Sequence, residues 1–214
     1  MPLLILLRHG QSAWNLENRF TGTVDIDLSP LGIHEAEQAG KQLKQFPIDI
    51  LYTSTLLRAV HTANIVLKVL EKNIPVTQNC ALNERCYGDL QGLNKADTMI
   101  EYGAEQVHLW RRSYETAPPN GESLKNTCDR VIPYFKEKIE PDLKTKNVLI
   151  IAHGNSLRAL IMYLEAISPV AICNFNIATG IPRVYEFDVG MKLRNVYNIE
   201  NINKFKNKYH GNTQ

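Results

Sequence analysis

The chain has 214 residues, of which 44% are hydrophobic and 21% are charged, and its formal net charge is +2. This composition is typical of a folded globular protein with enough apolar side chains for a sizeable core. The small net charge argues against a general nucleic-acid binder, which needs a concentrated basic face, and no apolar run approaches the roughly 20 residues that span a membrane.

The first predicted element is a strand over residues 3–7, which leads into an Arg-His-Gly sequence containing His9. A second apolar stretch, residues 148–152, leads in the same way into His153 and a glycine. Continuous apolar runs of this length are typical of parallel strands buried on both faces, and ligands bind beyond the carboxyl ends of such strands. If the two strands are neighbours, both histidines face one pocket. The helix starts that follow and the glycines, which let an anion approach the backbone, predict a phosphate site.

Strand-like and helix-like segments alternate between these two stretches, which predicts an α/β fold. After a polar loop over 15–28, Ser29 and Pro30 predict the start of a helix that runs from Leu31 to about Gln45. Its buried face is expected to consist of small and aliphatic residues: Ile33, Ala36, Ala39, Gly40 and Leu43. The next predicted elements are a strand over 48–52, a helix over 56–70 and a strand over 74–77.

The pattern weakens from about residue 80 to residue 121, where two short helices are predicted over 95–101 and 104–112. Insertions of this length in an α/β fold often form a lid or a wall of a binding site. We therefore predict one domain over residues 1–214, in which the insertion forms a lid over the site.

The last third of the chain continues the alternation. Ser123 begins a predicted helix in which Pro133 marks a kink or a break. After the second His-Gly strand we expect a helix over 156–166 and a last strand, at the sheet edge, over 183–188. The polar tail over about 199–214 is predicted to be mobile.

The two histidines predict phosphoryl transfer with His9 as the nucleophile, because a neutral imidazole with a pKa of about 6.5 is available at neutral pH. Arg8 is predicted to hold the phosphate oxygens. His153 is predicted to donate to the same oxygens, and negative charge around it is expected to favour its protonated form. The alternative is a strand end with an exposed Arg8 and a histidine hydrogen bonded to the backbone. The second His-Gly unit at an equivalent place disfavours that alternative.

Further charged residues extend the prediction. Arg58 follows a predicted strand and is expected at the same sheet edge, although a solvated helix arginine is an equally open interpretation. Glu84 is a candidate general acid/base, although a loop glutamate paired with Arg85 is an equally good interpretation. The cations Lys95, Arg111 and Arg112 fit a second anionic group on the substrate, whereas charge runs usually mark a solvated helix face.

The sequence lacks the motifs of several other classes of enzyme. Nucleotide-binding GxxxxGK[ST] and GxGxxG motifs, the HExxH zinc motif and the GxSxG elbow are absent from the sequence. The four cysteines form no CxxC pair, so we expect reduced thiols and no metal. The start at Met1 lacks the pattern of a signal peptide, and a cytoplasmic location is expected.

The motifs resemble a known family. Residues 7–10, Leu-Arg-His-Gly, resemble the signature of the histidine phosphatase superfamily. The middle block from Asn83 to Lys95, together with the arginine pair at 111–112, resembles more narrowly the 2,3-bisphosphoglycerate-dependent phosphoglycerate mutases. The resemblance runs from residue 3 to about residue 188.

This resemblance implies a three-layer α/β/α sandwich, a phosphohistidine intermediate, and interconversion of 3-phosphoglycerate and 2-phosphoglycerate primed by 2,3-bisphosphoglycerate. It implies small phosphorylated sugar-acid substrates, no nucleic-acid or membrane partner, and a homo-oligomer, with a dimer favoured. The implied catalytic residues are His9, Glu84, His153, Arg8 and Arg58. The implied substrate-binding residues are Asn15, Thr21, Gly22, Arg85, Tyr87, Lys95, Arg111, Arg112, Gly154 and Asn155.

The chain departs from the family pattern at Thr23, where tryptophan is usual, and at Cys86, where histidine is usual. We expect altered packing there and retained chemistry. The chain is also shorter than the longer family members between Arg112 and His153, a region that contributes to their subunit contacts. Two rival functions are a broad phosphomonoesterase of the same superfamily and a non-catalytic binder of phosphorylated ligands.

Overall fold

The computed structural model describes residues 1–199, and its centre is a six-stranded sheet. The strands are β1 (Leu3–Arg8), β2 (Ile50–Thr53), β3 (Val76–Gln78), β4 (Val148–Ala152), β5 (Arg183–Phe187) and β6 (Leu193–Asn198). Their spatial order is β3-β2-β4-β1-β5-β6. The first four strands in that order are parallel, whereas β5 is antiparallel to both of its neighbours. The four parallel strands therefore end at one edge of the sheet.

Helices cover both faces of this sheet. The α-helices within residues 1–199 are α1 (Ala13–Leu16), α2 (Pro30–Leu43), α3 (Leu57–Leu70), α4 (Lys95–Tyr102), α5 (Ala104–Arg112), α6 (Leu124–Tyr134), α7 (Glu140–Leu143), α8 (Gly154–Leu164) and α9 (Pro169–Cys173). Two short 3-10 helices lie at Cys80–Leu82 and Gly88–Leu90. Side chains on β1 alternate between two cores, because successive residues of a strand point to opposite faces. Leu4 and Leu6 pack with α6 and α8, whereas Ile5 and Leu7 pack with α2 and α3. The predicted three-layer α/β/α sandwich with a mostly parallel sheet is confirmed.

The register of β1 against β4 brings the two His-Gly units together. The strands pair in parallel, with Arg8 opposite Ala152, and the His9 amide donates to the Ala152 carbonyl at 3.0 Å. His9 and His153 therefore leave the sheet side by side, as the sequence predicts.

Other local predictions were wrong. Ile33 was expected on the buried face of α2, but it is 37% exposed, because Gly32 occupies the centre of that face against the Gln11 backbone. By contrast, α6 ends at Tyr134, one residue after Pro133, and a π-helical segment, Phe135–Ile139, then leads into α7, so the α-helical pattern breaks close to the predicted place. The strand over 183–188 is not the edge, since β6 pairs with its outer side. The short helices α1 and α9 were also missed.

The predicted insertion packs against the loop that follows β1. Phe20, Leu90, Val107 and Trp110 form a small separate core, and the Lys95 ammonium lies 5.8 Å from the centre of the Phe20 ring. The insertion thus forms a wall at the edge where the parallel strands end. The domain boundaries over residues 1–214 stay a prediction. Of the tail predicted to be mobile, Ile199 is buried and residues 200–214 lie outside the described part of the chain.

Candidate active site

His9 and His153 form the centre of the candidate site. Their ring centres are 4.8 Å apart, and the residues are 3% and 0% exposed. Both imidazoles are therefore shielded from water, although Arg8 at the end of β1 is only partly buried.

A backbone carbonyl fixes the tautomer of His9. The Nδ1 atom lies 2.6 Å from the Gly10 oxygen, and a carbonyl oxygen can only accept a hydrogen bond, so Nδ1 carries the proton. Burial, followed by the positive charges of Arg58 and Arg8, holds the pKa of His9 well below its usual 6.5. A neutral imidazole with its lone pair on Nε2 is the form that attacks phosphorus.

His153 meets a different partner. Its Nε2 atom lies 2.6 Å from Ser54 Oγ. Burial first, and then the charges of Arg58, His9 and Arg8, hold the pKa of His153 well below 6.5. The arginines around this histidine oppose its protonation, and a form protonated beside phosphate oxygens stays a prediction. Any negative charge near the ring has to come from a ligand.

The two glycines of the His-Gly pairs serve different purposes. A Cβ atom at Gly10 would lie 2.1 Å from the Gly32 carbonyl oxygen, so Gly10 allows α2 to approach the turn rather than an anion to approach the backbone. A Cβ at Gly154 would lie 3.5 Å from Glu84 Oε2 and 3.8 Å from Arg8 Cζ. Of the two, only Gly154 lines the cavity.

Arg8 and Arg58 are held in place by backbone carbonyls. Arg8 Nη1 donates to Ile177 O at 2.8 Å, while its buried Nε has no partner among the described residues. Arg58 is 1% exposed and donates to Val24 O at 2.9 Å and to Gly22 O at 2.7 Å. Burial lowers the pKa of Arg58 to about 10, so it remains a cation at neutral pH. The solvated helix arginine is thereby excluded.

Glu84 is oriented by backbone amides. Its Oε1 atom accepts hydrogen bonds from the Asn155 amide at 3.0 Å and from the Arg85 amide at 2.8 Å. The Arg85 guanidinium instead lies 4.6 Å from the centre of the Tyr87 ring and donates to Arg111 O. The side-chain pair that the sequence left open as an alternative is therefore not formed.

These residues surround a cavity of about 170 Å³. Among the described residues that line it, seven are cationic, and the single carboxylate is that of Glu84. The cations are Arg8, Arg19, Arg58, Lys95, Arg111, Arg112 and Arg158. A buried Thr21 hydroxyl also has no partner within residues 1–199. Unpaired donors and concentrated positive charge favour a ligand with more than one anionic group.

Every predicted site residue lines the cavity except His153 and Arg85. The predicted residues that line it are Arg8, His9, Asn15, Thr21, Gly22, Arg58, Glu84, Tyr87, Lys95, Arg111, Arg112, Gly154 and Asn155. His153 lies beside His9, and its buried Nδ1 atom has no partner among the described residues. Arg85 is fully buried and lies over the Tyr87 ring.

The cations at the insertion influence one another. Burial, followed by the charge of Arg111, lowers the pKa values of both Lys95 and Arg112. Burial would raise the pKa of Tyr87, but the nearby Arg85 charge and hydrogen bonds from Arg85 and Asn155 lower it. Bringing an anion into this cavity would relieve the mutual repulsion of the cations.

Several residues of the site were given no role by their sequence pattern. Arg158 lines the cavity and donates to Phe175 O at 2.8 Å and to Asn155 Oδ1 at 2.9 Å. Burial lowers the pKa of Arg158 to about 10. Ser54 contacts His153. Each lies shortly beyond a strand that ends at the site, in a stretch, 53–59 or 152–158, that resembles the family.

The two departures from the family pattern meet at one side chain. Gln91 Oε1 accepts from the Thr23 amide at 2.8 Å and from the Thr23 hydroxyl at 3.1 Å. Cys86 Sγ approaches the same oxygen at 3.7 Å. Neither Thr23 nor Cys86 lines the cavity, so the expectation of altered packing agrees with their positions.

Two absences hold for the described part of the chain. Within residues 1–199, no group of three or more His, Cys, Asp or Glu side chains is placed to hold a metal ion, and the metal-free site stays a prediction. A search of the same residues finds no helix with the length and apolarity needed to cross a membrane.

Comparisons with known proteins agree with the geometry. The family model of the histidine phosphatase superfamily (branch 1) matches residues 4–199. A Cytophaga hutchinsonii protein named 2,3-bisphosphoglycerate-dependent phosphoglycerate mutase is 58% identical over 197 residues, which cover 92% of each chain. A Protochlamydia amoebophila protein of the same name is 48% identical and covers 88% of this chain and 96% of its own. The solved alpha-ribazole phosphatase from Shigella flexneri is 26% identical with a TM-score of 0.78, covering 90% of this chain and 94% of its own.

Proposed function

The chain belongs to the histidine phosphatase superfamily, and from this premise we propose that it is a 2,3-bisphosphoglycerate-dependent phosphoglycerate mutase. It interconverts 3-phosphoglycerate and 2-phosphoglycerate in glycolysis and gluconeogenesis. The observation that carries the proposal is the pair of buried histidines beside a cavity lined by seven cations. The relatives of this name, which match nearly the whole chain, support it.

The chemistry begins at His9. Its Nε2 lone pair forms the N–P bond as the P–O bond of the phosphoryl donor breaks, and 2,3-bisphosphoglycerate supplies this group when it is bound. Arg8 and Arg58 stabilise charge on the transferring oxygens. The low pKa of His9 keeps the attacking imidazole neutral at pH 7.

Glu84 is proposed as the general acid/base. Its carboxylate, held by the amides of Arg85 and Asn155, takes the proton from the substrate hydroxyl that receives the phosphoryl group from His9. In the reverse step it returns that proton to the departing oxygen. A positioned carboxylate typically contributes about 10²–10⁴-fold to the rate.

The remaining polar groups are proposed to hold the rest of the substrate. Lys95, Arg111 and Arg112 lie on or beside the insertion and are suited to a carboxylate or a second phosphate. The other proposed binding residues are Asn15, Thr21, Gly22, Tyr87, Gly154 and Asn155. Arg85 acts through Tyr87, over whose ring it lies. A mutase needs cations at both ends because the substrate binds in two orientations.

The rival function is a broad phosphomonoesterase. The Shigella flexneri protein of similar structure is named as a phosphatase, which favours this rival. A phosphatase requires only the phosphate end of the cavity. Replacing Lys95 or Arg111 with methionine should therefore impair turnover of 3-phosphoglycerate far more than hydrolysis of p-nitrophenyl phosphate. Equal losses on both substrates would contradict a dedicated carboxylate subsite.

A coupled assay on 3-phosphoglycerate, with and without added 2,3-bisphosphoglycerate, tests the class. We expect product formation to depend on the primer and to exceed hydrolysis. A hydrolysis rate above the mutase rate would favour the phosphatase.

Labelling tests the nucleophile. The wild-type chain should form an acid-labile phosphoenzyme from labelled bisphosphate, and His9→Ala should take up no label. Retained label in that variant would end the assignment of His9. Failure of the wild-type chain to form a phosphoenzyme would instead favour a non-catalytic binder.

We propose that the enzyme works in the cytoplasm as a homodimer. All four cysteines are free thiols, in keeping with a reducing compartment. The outer edge of β3 has no strand partner among residues 1–199, and its Val76 is 42% exposed, so a second copy could cover this edge. Sedimentation should give a dimer that Val76→Lys weakens; a wild-type monomer would contradict the proposal.

A further inference from the structure

Ser54 makes a buried contact that the mechanism above does not use. It follows β2, the strand next to β4, and its Oγ lies 2.6 Å from His153 Nε2. Both residues are 0% exposed. The Ser54 oxygen also accepts the Leu56 amide at 3.2 Å, which fixes its position at the start of the turn into α3.

We propose that Ser54 is a positioning residue, which orients His153 beside the phosphoryl group and remains hydrogen bonded to it whether the imidazole is neutral or protonated. This inference rests on the proposed function, because it assigns His153 to the phosphate that His9 receives. Ser54 acts through His153 and does not touch the substrate.

The chemistry of a hydroxyl makes this possible. A serine hydroxyl has one donor proton and two acceptor lone pairs, and the Leu56 amide occupies one lone pair. When Nε2 is unprotonated, Ser54 donates to it. When a phosphate dianion binds and His153 takes up one proton from solvent, Nε2–H donates to the remaining lone pair. The contact survives the change in charge.

The charges that face His153 show why a neutral partner is suitable. They belong to Arg58 at the start of α3, Arg8 and His9 at the end of β1, and Arg130 on α6. All of these groups disfavour protonation of His153. A carboxylate in place of Ser54 would favour the charged imidazole even without a ligand, whereas a neutral hydroxyl leaves the protonation of His153 to depend on the charge of the ligand. His153 can therefore become cationic when the phosphoryl group arrives.

The test compares the wild-type chain with Ser54→Ala and Ser54→Cys, with Thr55→Val as the matched control. Thr55 is the exposed neighbour, and its hydroxyl bonds to Asn83 rather than to His153. We expect Ser54→Ala to slow phosphoenzyme formation about 10- to 100-fold, the range for losing a hydrogen bond to a charged group, with a smaller change in KM. The rate of phosphoenzyme formation in Ser54→Cys should lie between those of Ser54→Ala and the wild-type chain. The rate in Thr55→Val should equal that of the wild-type chain.

Nitrogen NMR of labelled histidine supplies a readout that a purely structural role would not change. Inorganic phosphate should raise the pKa of His153 in the wild-type chain, and less so in Ser54→Ala. If Ser54→Ala does not fold, the same comparison is made with Ser54→Cys. Wild-type rates and an unchanged His153 titration in a folded variant would overturn the inference. A wild-type chain that forms no phosphoenzyme would count against the proposed function, and the inference would fail with it.

Discussion

At the scale of single residues, the position of one proton decides what His9 can do. The Gly10 carbonyl holds that proton on Nδ1, and burial with two arginines keeps the ring neutral. The result is a nucleophile that is ready before substrate binds, without a separate base to deprotonate it. The cations that later stabilise the phosphoryl group are the same ones that prepare the imidazole.

This arrangement predicts how His9 titrates. In the substrate-free protein, NMR should place the pKa of His9 well below 6.5, because burial and Arg58 both disfavour its charged form. Arg58→Met should raise that pKa towards 6.5. Arg19→Met, which also removes a cation that lines the cavity, should shift it less. A wild-type pKa of His9 that is not depressed would contradict a neutral resting imidazole.

Glu84 offers a second test at this scale. Glu84→Gln should reduce kcat of the mutase reaction by about 10²–10⁴-fold, the range for a lost general acid/base, because an amide cannot take the hydroxyl proton. Circular dichroism should show a folded chain, since the amide oxygen can still accept from Asn155 and Arg85. The exposed Glu105→Gln on α5 is the control. A decrease of only a few-fold would remove Glu84 from this role.

At the scale of elements, the strands that end at the site were the easiest to predict. The apolar runs before His9 and His153 have all of their residues buried or nearly so, and a short run without polar residues is typical of a strand covered on both faces. Half of the residues in the edge strand β6, Leu-Arg-Asn-Val-Tyr-Asn, are polar and they do not alternate regularly with the apolar ones, so this strand is defined by its pairing with β5. Pro133 predicts a break, and the α-helix changes to a π-helical segment two residues later, because proline has no amide hydrogen to donate.

Gln91 connects two loops that carry site residues. Besides Thr23, its side-chain oxygen accepts from the Tyr87 amide at 3.4 Å. Gly22 has a positive φ of 55°, and a Cβ there would lie 2.1 Å from that oxygen. The Gly22 carbonyl in turn holds Arg58. One amide oxygen therefore links the insertion to the loop that clamps the phosphate arginine.

Gln91→Met should test this link, because methionine keeps the length of the side chain and loses the acceptor. We expect a loss of roughly 0.5–1.5 kcal/mol in the free energy of unfolding, the usual net contribution of a hydrogen bond, because the Thr23 donors are exposed and the Tyr87 amide is only partly buried. We also expect a higher KM for 3-phosphoglycerate. Gln45→Met, at an exposed position, should change neither. Urea denaturation and steady-state kinetics make the comparison. Unchanged values in Gln91→Met would show that the link is dispensable.

At the scale of the whole molecule, the sequence predicted which residues meet but not how they meet. Arg8, His9 and His153 lie at one edge of the sheet because the strands that precede them run parallel and end together. The contact of Ser54 with His153 depends on β2 lying beside β4, and strand order is not written in a local pattern. Arg158 lies one helical turn after the start of α8 at Gly154, and its side chain reaches back to Asn155 at the cavity. Such contacts are properties of the packed fold.

The buried histidine pair also predicts how the stability of the entire fold depends on pH. His9 and His153 have depressed pKa values in the folded chain, so below pH 6.5 the unfolded chain binds more protons than the folded one. Their contribution to stability is fully present above about pH 6.5 and is lost as the pH falls towards the folded-state values. Each histidine can contribute a slope of at most about 1.4 kcal/mol per pH unit. Carboxylates with lowered pKa values, such as Glu122 and Asp142, lose their contribution only below their ordinary values of 4.5 and 3.8.

Urea denaturation of the substrate-free protein between about pH 7.5 and pH 5 tests this proton linkage. The free energy of unfolding should be constant at the upper end of this range and should decline below about pH 6.5. His9→Gln and His153→Gln should each reduce the slope of that decline, because glutamine binds no proton in either state. His34→Gln, at an exposed position outside this pair, is the matched control. Wild-type stability that stays level across the whole range would mean that the two imidazoles accept protons inside the fold. His9 would then be protonated in part before substrate binds, and its Nε2 lone pair would not be free to attack phosphorus.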